Sequence, residues 1–83
     1  MAPVSTHERV IDLLVDVTRA DEVRTDPELQ LYELGLIDSL GTVELLVAIT
    51  QEFAVDISPT EIDRTIWATP RKIAEFVDGR LAQ

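Results

Sequence analysis

Apolar residues recur three and four positions apart in three separate stretches, and a hydroxyl or carboxylate side chain opens each one. Val10, Ile11, Leu14 and Val17 come after Ser5-Thr6-His7-Glu8; Leu45, Leu46, Ile49 and Phe53 come after Asp38-Ser39; Ile73, Phe76, Val77 and Leu81 come after Thr69-Pro70. That period puts each set on one side of a helix, and short oxygen side chains accept the amide hydrogens that a first turn leaves without partners. An isolated helix of this length is marginal in water, so the stripes must bury one another. A helical bundle is the fold that does this.

The boundaries follow from the caps. Ser5 to Glu8 reads as a capping box, which starts a helix near Thr6 and carries it to about Ala20. A second helix runs from Ser39 to about Phe53, with Asp38 or Ser39 able to cap it. At about 100° per residue, Thr42, Leu45, Leu46, Ile49 and Phe53 share one arc, the core face. Leu40, Glu44, Val47 and Gln51 lie opposite, with Val43 beside them. Ser58-Pro59-Thr60-Glu61 is a second capping box with proline at the first helical position, and it predicts a short helix ending near Trp67. Thr69-Pro70 opens the last helix.

Between Asp21 and Asp38 the period fades, and Pro27 and Gly35 punctuate the chain. Leu29, Leu31, Tyr32, Leu34, Leu36 and Ile37 are nevertheless too apolar to leave in water. A long loop pinned across the bundle by these side chains is expected, and ordered loops of this length are often functional. Ala54-Val55-Asp56-Ile57 could form a strand, but nothing else in the chain offers a partner. The expected fold is all-α: a four-helix bundle, three helices long and one short, with a long structured loop between helices one and two. Residues 1–83 suffice for a single domain.

Composition narrows the function classes. Sixteen acidic residues against seven basic ones give a formal net charge of −9. Nucleic-acid phosphates and anionic membrane surfaces both require clustered Lys and Arg, so neither is an expected partner. Partners with basic docking patches are, because complementary fields raise the encounter rate. Cysteine is absent, which removes disulfides, thiolate metal sites and cysteine nucleophiles. The N-terminus has no signal-peptide core, and the longest apolar run, Leu45 to Ile49, is too short to span a bilayer. A cytoplasmic protein is expected.

Catalysis finds little support. A serine at a helix start could be a hydrolase nucleophile, but the elbow motif needs glycine two positions before it, where Ile37 stands. The only histidine, His7, lies in the N-terminal cap region, so no triad forms. The acids are dispersed without metal-binding spacing, so no metal site is expected. The chain is not expected to be an enzyme by itself.

The string Gly35-Leu36-Ile37-Asp38-Ser39-Leu40, running into Val43-Glu44-Leu45-Leu46, resembles the attachment site of phosphopantetheine-dependent carrier proteins. The resemblance covers Leu31 to Ile73 and implies that Ser39 holds a 4′-phosphopantetheine arm, with Asp38 supporting. Such an arm would supply the thiol that the sequence lacks. The later run Asp63-Arg64-Thr65-Ile66-Trp67-Ala68-Thr69-Pro70-Arg71-Lys72-Ile73, with Leu40-Gly41-Thr42-Val43, is similar to stand-alone D-alanyl carrier proteins. Those proteins often have Met after the modified serine and an acid after the tryptophan, where this chain has Leu40 and Ala68. Trp67 itself is expected in the core or over helix four, whichever carrier this is.

The resemblance implies a monomeric carrier that receives its arm from a phosphopantetheinyl transferase. An adenylating amino-acid ligase would load it, D-alanine being the first choice, and a downstream acyltransferase would unload it, as in teichoic-acid D-alanylation. Leu40, Val43, Glu44 and Val47 would form the docking face for these partners. Six Arg against one Lys, and no Asn, suggest a G+C-rich genome, which favours an alternative: a discrete acyl or aminoacyl carrier of a polyketide or nonribosomal peptide pathway, emptied by a condensing enzyme. An unmodified helical interaction module is the alternative from another class.

Overall fold

The structure is a computed structural model that describes residues 5–82. Helix α1 spans Thr6–Thr18, and Ser5 Oγ accepts the Glu8 N–H at 3.1 Å. It stops short of Ala20 because Arg19 turns into the left-handed region (φ 62°) and donates its N–H to Val15 at 2.7 Å. A single helical turn, α2 (Glu22–Thr25), follows and buries Val23. Four residues are too few to show a period, so sequence reading passed over it.

The loop then crosses the bundle as expected, and backbone bonds staple it. Leu31 N–H reaches Ala68 O at 3.0 Å, and Arg71 N–H reaches Pro27 O at 3.0 Å. Leu31 and Ile37 are buried, whereas Leu34 departs from expectation and stays 60% exposed. Gly35, at φ 72°, makes the turn beyond it.

Helix α3 spans Ser39–Phe53 and buries Leu45, Leu46, Ile49 and Phe53, the expected face, with Thr42 half-buried at its edge. Arg9 closes its far end: Nη2 donates to Glu52 O at 2.8 Å and the guanidinium lies 4.4 Å from the Phe53 ring centroid. The short helix expected from Ser58 to Trp67 is instead a 3₁₀ turn, Pro59–Glu61. The capping box forms, with Ser58 N–H donating to Glu61 Oε2 at 2.8 Å, but Ile62 is already extended. Asp63 explains the break, since its Oδ1 takes the N–H groups of Thr65 and Ile66 at 2.8 Å each and starts a separate turn.

Helix α4 (Pro70–Leu81) is capped by Thr69, which accepts the Lys72 N–H at 3.2 Å. Ile73, Ala74 and Val77 are buried, Phe76 is half-buried, and Leu81 lies outside the core, contrary to the stripe. α1 packs against both α3 and α4. Trp67 is fully buried at their junction with the loop and meets Phe76 edge-on, with ring centroids 6.0 Å apart at 82°. The architecture is all-α; among the described residues no strand forms, and Ala54 to Ile57 connects α3 to the 3₁₀ turn with Ile57 buried. Among the described residues no helix is long and apolar enough to cross a membrane.

Candidate functional site

Two adjacent polar side chains at the start of α3 could each have served as its cap, and they divide the work. Asp38 does the capping: its Oδ1 accepts the Gly41 N–H at 2.8 Å, and its carbonyl accepts the Thr42 N–H and hydroxyl at 2.8 Å each. Ser39 is the first residue of the helix and is exposed, so its hydroxyl points to no capping duty. Gly41 lets the loop approach closely, since a Cβ there would stand 3.0 Å from Ile37 Cγ1 and 3.4 Å from Asp38 Oδ1.

Tyr32 ties the loop to this turn. Its hydroxyl lies 2.5 Å from Thr42 Oγ1, and because Thr42 spends its hydrogen on Asp38 O, Tyr32 is the donor. The Arg64 guanidinium sits 5.5 Å from the Tyr32 ring centroid. Tyr32, Ser39, Thr42, Ile62, Asp63 and Arg64 together line a groove of about 230 Å³. Sequence reading missed Arg64 as a site residue because only the tertiary fold brings the Asp63 turn beside α3, and it missed Thr42, on the same helix as Ser39, because the period assigns it to the core face. The available signal was the hydroxyl of Thr42 on an otherwise apolar face.

Leu40, Val43 and Val47 are exposed at 67%, 51% and 48%, and Glu44 is exposed among them. All four lie on the face of α3 turned away from the core. His7 is elsewhere, lining a cleft with Glu8, Ile11, Asp12 and Arg24. Among the described residues no group of His, Asp and Glu is placed to hold a metal ion.

Most cations are engaged in pairs: Arg9 with Glu52, Arg24 with Asp12, Arg71 with Glu28 and Glu75, and Arg80 with Glu61. The Arg80 hydrogen bond, helped by the Ser58 N–H, holds the Glu61 carboxyl below its ordinary range, and Arg71 does the same to Glu28. Arg64 has no such carboxylate partner among the described residues.

This corner suits a phosphate ester on the serine. Ser39 lies at the positive end of a 15-residue helix, where backbone dipoles favour an anion. Its exposure leaves room for a long substituent, and Arg64 adds a positive charge in the same groove. Asp38 opposes the anion, but its carboxylate already receives the Gly41 N–H.

A family model described as the phosphopantetheine attachment site matches residues 8–77, most of the chain. The chain belongs to the phosphopantetheine attachment-site family. Its prosthetic group is accordingly 4′-phosphopantetheine, and the helical bundle is the fold expected of such a carrier. The chain is similar to the D-alanyl carrier protein of Lacticaseibacillus casei (strain BL23), 42% identical over 78 residues, covering 94% of this chain and 96% of that protein. It is also similar to the D-alanyl carrier protein of Bacillus velezensis, 46% identical over 66 residues, covering 80% and 85%. The D-alanyl carrier protein of Enterococcus faecalis is 39% identical over 76 residues, covering 92% and 97%.

Proposed function

We propose that Ser39 Oγ is the attachment point of 4′-phosphopantetheine, and that the chain carries D-alanine as a thioester on that arm. The exposed Ser39, released from capping by Asp38 at the positive end of α3, is the observation that carries this reading. Similarity to several D-alanyl carrier proteins supports the cargo. Residues 1–83 form a single carrier domain that presents its cargo and catalyses nothing itself. It acts as a cytoplasmic monomer. A phosphopantetheinyl transferase installs the arm, an adenylating ligase loads it, and an acyltransferase removes the alanyl group for teichoic-acid D-alanylation.

Leu40, Val43, Glu44 and Val47 are the docking face. Three exposed apolar side chains beside a carboxylate suit a partner with an apolar hollow rimmed by cations. Asp38 serves chiefly by capping, which fixes the first turn under Ser39. Selectivity for the amino acid resides in the ligase pocket, because the arm and not the bundle contacts the cargo there.

Incubation with coenzyme A and a broad-specificity transferase should add one phosphopantetheine to the wild-type mass and none to Ser39→Ala. No mass gain on wild type would favour the unmodified interaction module. Holo-protein offered D-alanine, L-alanine and other amino acids, with the cognate ligase and ATP, should be loaded with D-alanine. The Arg-rich, Asn-free composition favours a second reading, a carrier in a natural-product pathway. Refusal of D-alanine with efficient loading of another acid would overturn the alanyl assignment and leave the carrier assignment standing.

A further inference from the structure

The groove that begins at Ser39 does not end at Tyr32. A second hollow of about 390 Å³, lined by Gln30, Glu33, Thr65, Ala68 and Lys72, adjoins it and shares Tyr32 and Arg64 as its wall. We propose that these two hollows form one resting groove for the loaded arm, with Arg64 as the residue that holds the arm's phosphodiester and Tyr32 as the floor it crosses. The proposal rests on the attachment of the arm at Ser39.

Charge is the first argument. The chain carries 16 acidic residues against seven basic ones, so a cation near a carboxylate is the ordinary outcome, and Arg9, Arg24, Arg71 and Arg80 all have one. Arg64 and Lys72, both in the walls of this groove, form no ion pair among the described residues, nor does Arg19, which lines neither hollow. Lys72 is still close enough to help lower the Glu28 carboxyl, whereas no carboxylate is paired with Arg64. A guanidinium 5.5 Å from the Tyr32 ring centroid is drawn to the ring face through its charge, and its N–H donors remain open to an anion. Asp63, its chain neighbour in the same groove, already spends Oδ1 on the Thr65 and Ile66 N–H groups, and a phosphate on Ser39 would bring a further anion to the same wall.

Polarity along the groove is the second. Past its phosphate, the arm offers a hydroxyl and two amides, and the walls offer the side chains of Thr42, Gln30, Thr65 and Lys72 as partners. Glu33, which pairs with no cation among the described residues, supplies a carboxylate for the free ammonium of an aminoacyl cargo. A hydrocarbon cargo finds no matching wall here, and the bundle centre is filled by Trp67, Leu45 and Ile49, each fully buried. The groove therefore fits a short, polar, amino-terminated load and disfavours a fatty chain.

Amide spectra of ¹⁵N-labelled apo- and holo-protein test this, with intact mass recorded on every sample. In holo-protein, shifts should move at Gln30, Tyr32, Thr65 and Ala68 as well as near Ser39. Nuclear Overhauser contacts should link the arm's geminal methyl groups to the Tyr32 ring. Arg64→Glu should still gain the phosphopantetheine mass yet lose these remote shifts and contacts, while Arg64→Lys retains part of them. Because Arg64 is exposed and unpaired, Arg64→Ala and Arg64→Glu should keep the wild-type apo spectrum outside the groove. Shift changes confined to Asp38–Thr42, or arm contacts to Leu40 and Val43 instead, would overturn the groove while the mass gain upheld the carrier reading. Remote contacts that persist in Arg64→Glu would overturn the role of Arg64. No mass gain on wild type would overturn the attachment at Ser39 and the groove with it.

Discussion

Replacing Asp38 by alanine would leave the Gly41 N–H without its acceptor and loosen the turn that carries Ser39. The expected cost is about 1 kcal/mol, as for a lost helix cap, and Asp38→Asn should recover most of it. Urea titrations followed by the fluorescence of the single, buried Trp67 measure both. If capping is the main role of Asp38, Asp38→Asn should also be modified at Ser39 nearly as well as wild type. One position apart on α3, Leu46 and Val47 divide packing from docking. Leu46 is 6% exposed, so Leu46→Ala should cost about 2–5 kcal/mol through a cavity. Val47 is 48% exposed, so Val47→Asp should change stability by about 0.5 kcal/mol or less. Its effect should appear as slower modification and loading, measured at equal protein folding. Similar melting losses for the two would contradict the helical phase.

Helix α4 is held at each end by an arginine that reaches another element. Arg71 grips Glu28 in the loop, and Arg80 grips Glu61 in the 3₁₀ turn and donates to Asp56 O at 3.1 Å. Both carboxyls are held below their ordinary value of 4.5, Glu28 first by its Arg71 hydrogen bond and Glu61 first by its Arg80 hydrogen bond. A group whose pKa is lower in the folded state stabilises the fold above its unfolded value and loses that contribution as pH falls through the folded one. Melting temperature should therefore decline as pH drops below about 4.5. Glu61→Gln should melt lower than wild type at pH 7, with the two curves converging in acid. Comparing the curves isolates this pair from the relief of general charge repulsion on acidification. Parallel curves down to the lowest pH would show that the pair contributes nothing.

Across the whole molecule, a net charge of −9 and an exposed apolar strip on α3 act together in recognition. Long-range attraction to a cationic partner is screened by salt, whereas apolar contact is not. Raising NaCl should lower kcat/KM for modification by a transferase with a basic docking face, mainly through a higher KM, and Glu44→Gln should flatten that dependence. Stopped or discontinuous mass assays across a salt series measure it. The three long helices, the core face of α3 and the junction at Ser39 were legible in residue order because each depends on local facts: a period, a cap, a short motif. The short helices were not. Glu22–Thr25 has too few residues to show a period, and the run after Ser58 contains two competing caps, so only packing decides where it breaks. The same holds for Leu34 and Leu81, whose apolarity promised burial and whose neighbours do not provide it. Arg64 joins Ser39 in one groove only because the fold brings together segments distant along the chain, whereas Thr42, on the serine's own helix, is drawn in by its bond to Tyr32 of the loop. Periodicity and capping are written in neighbouring residues, but a groove is made by what the folded chain brings together.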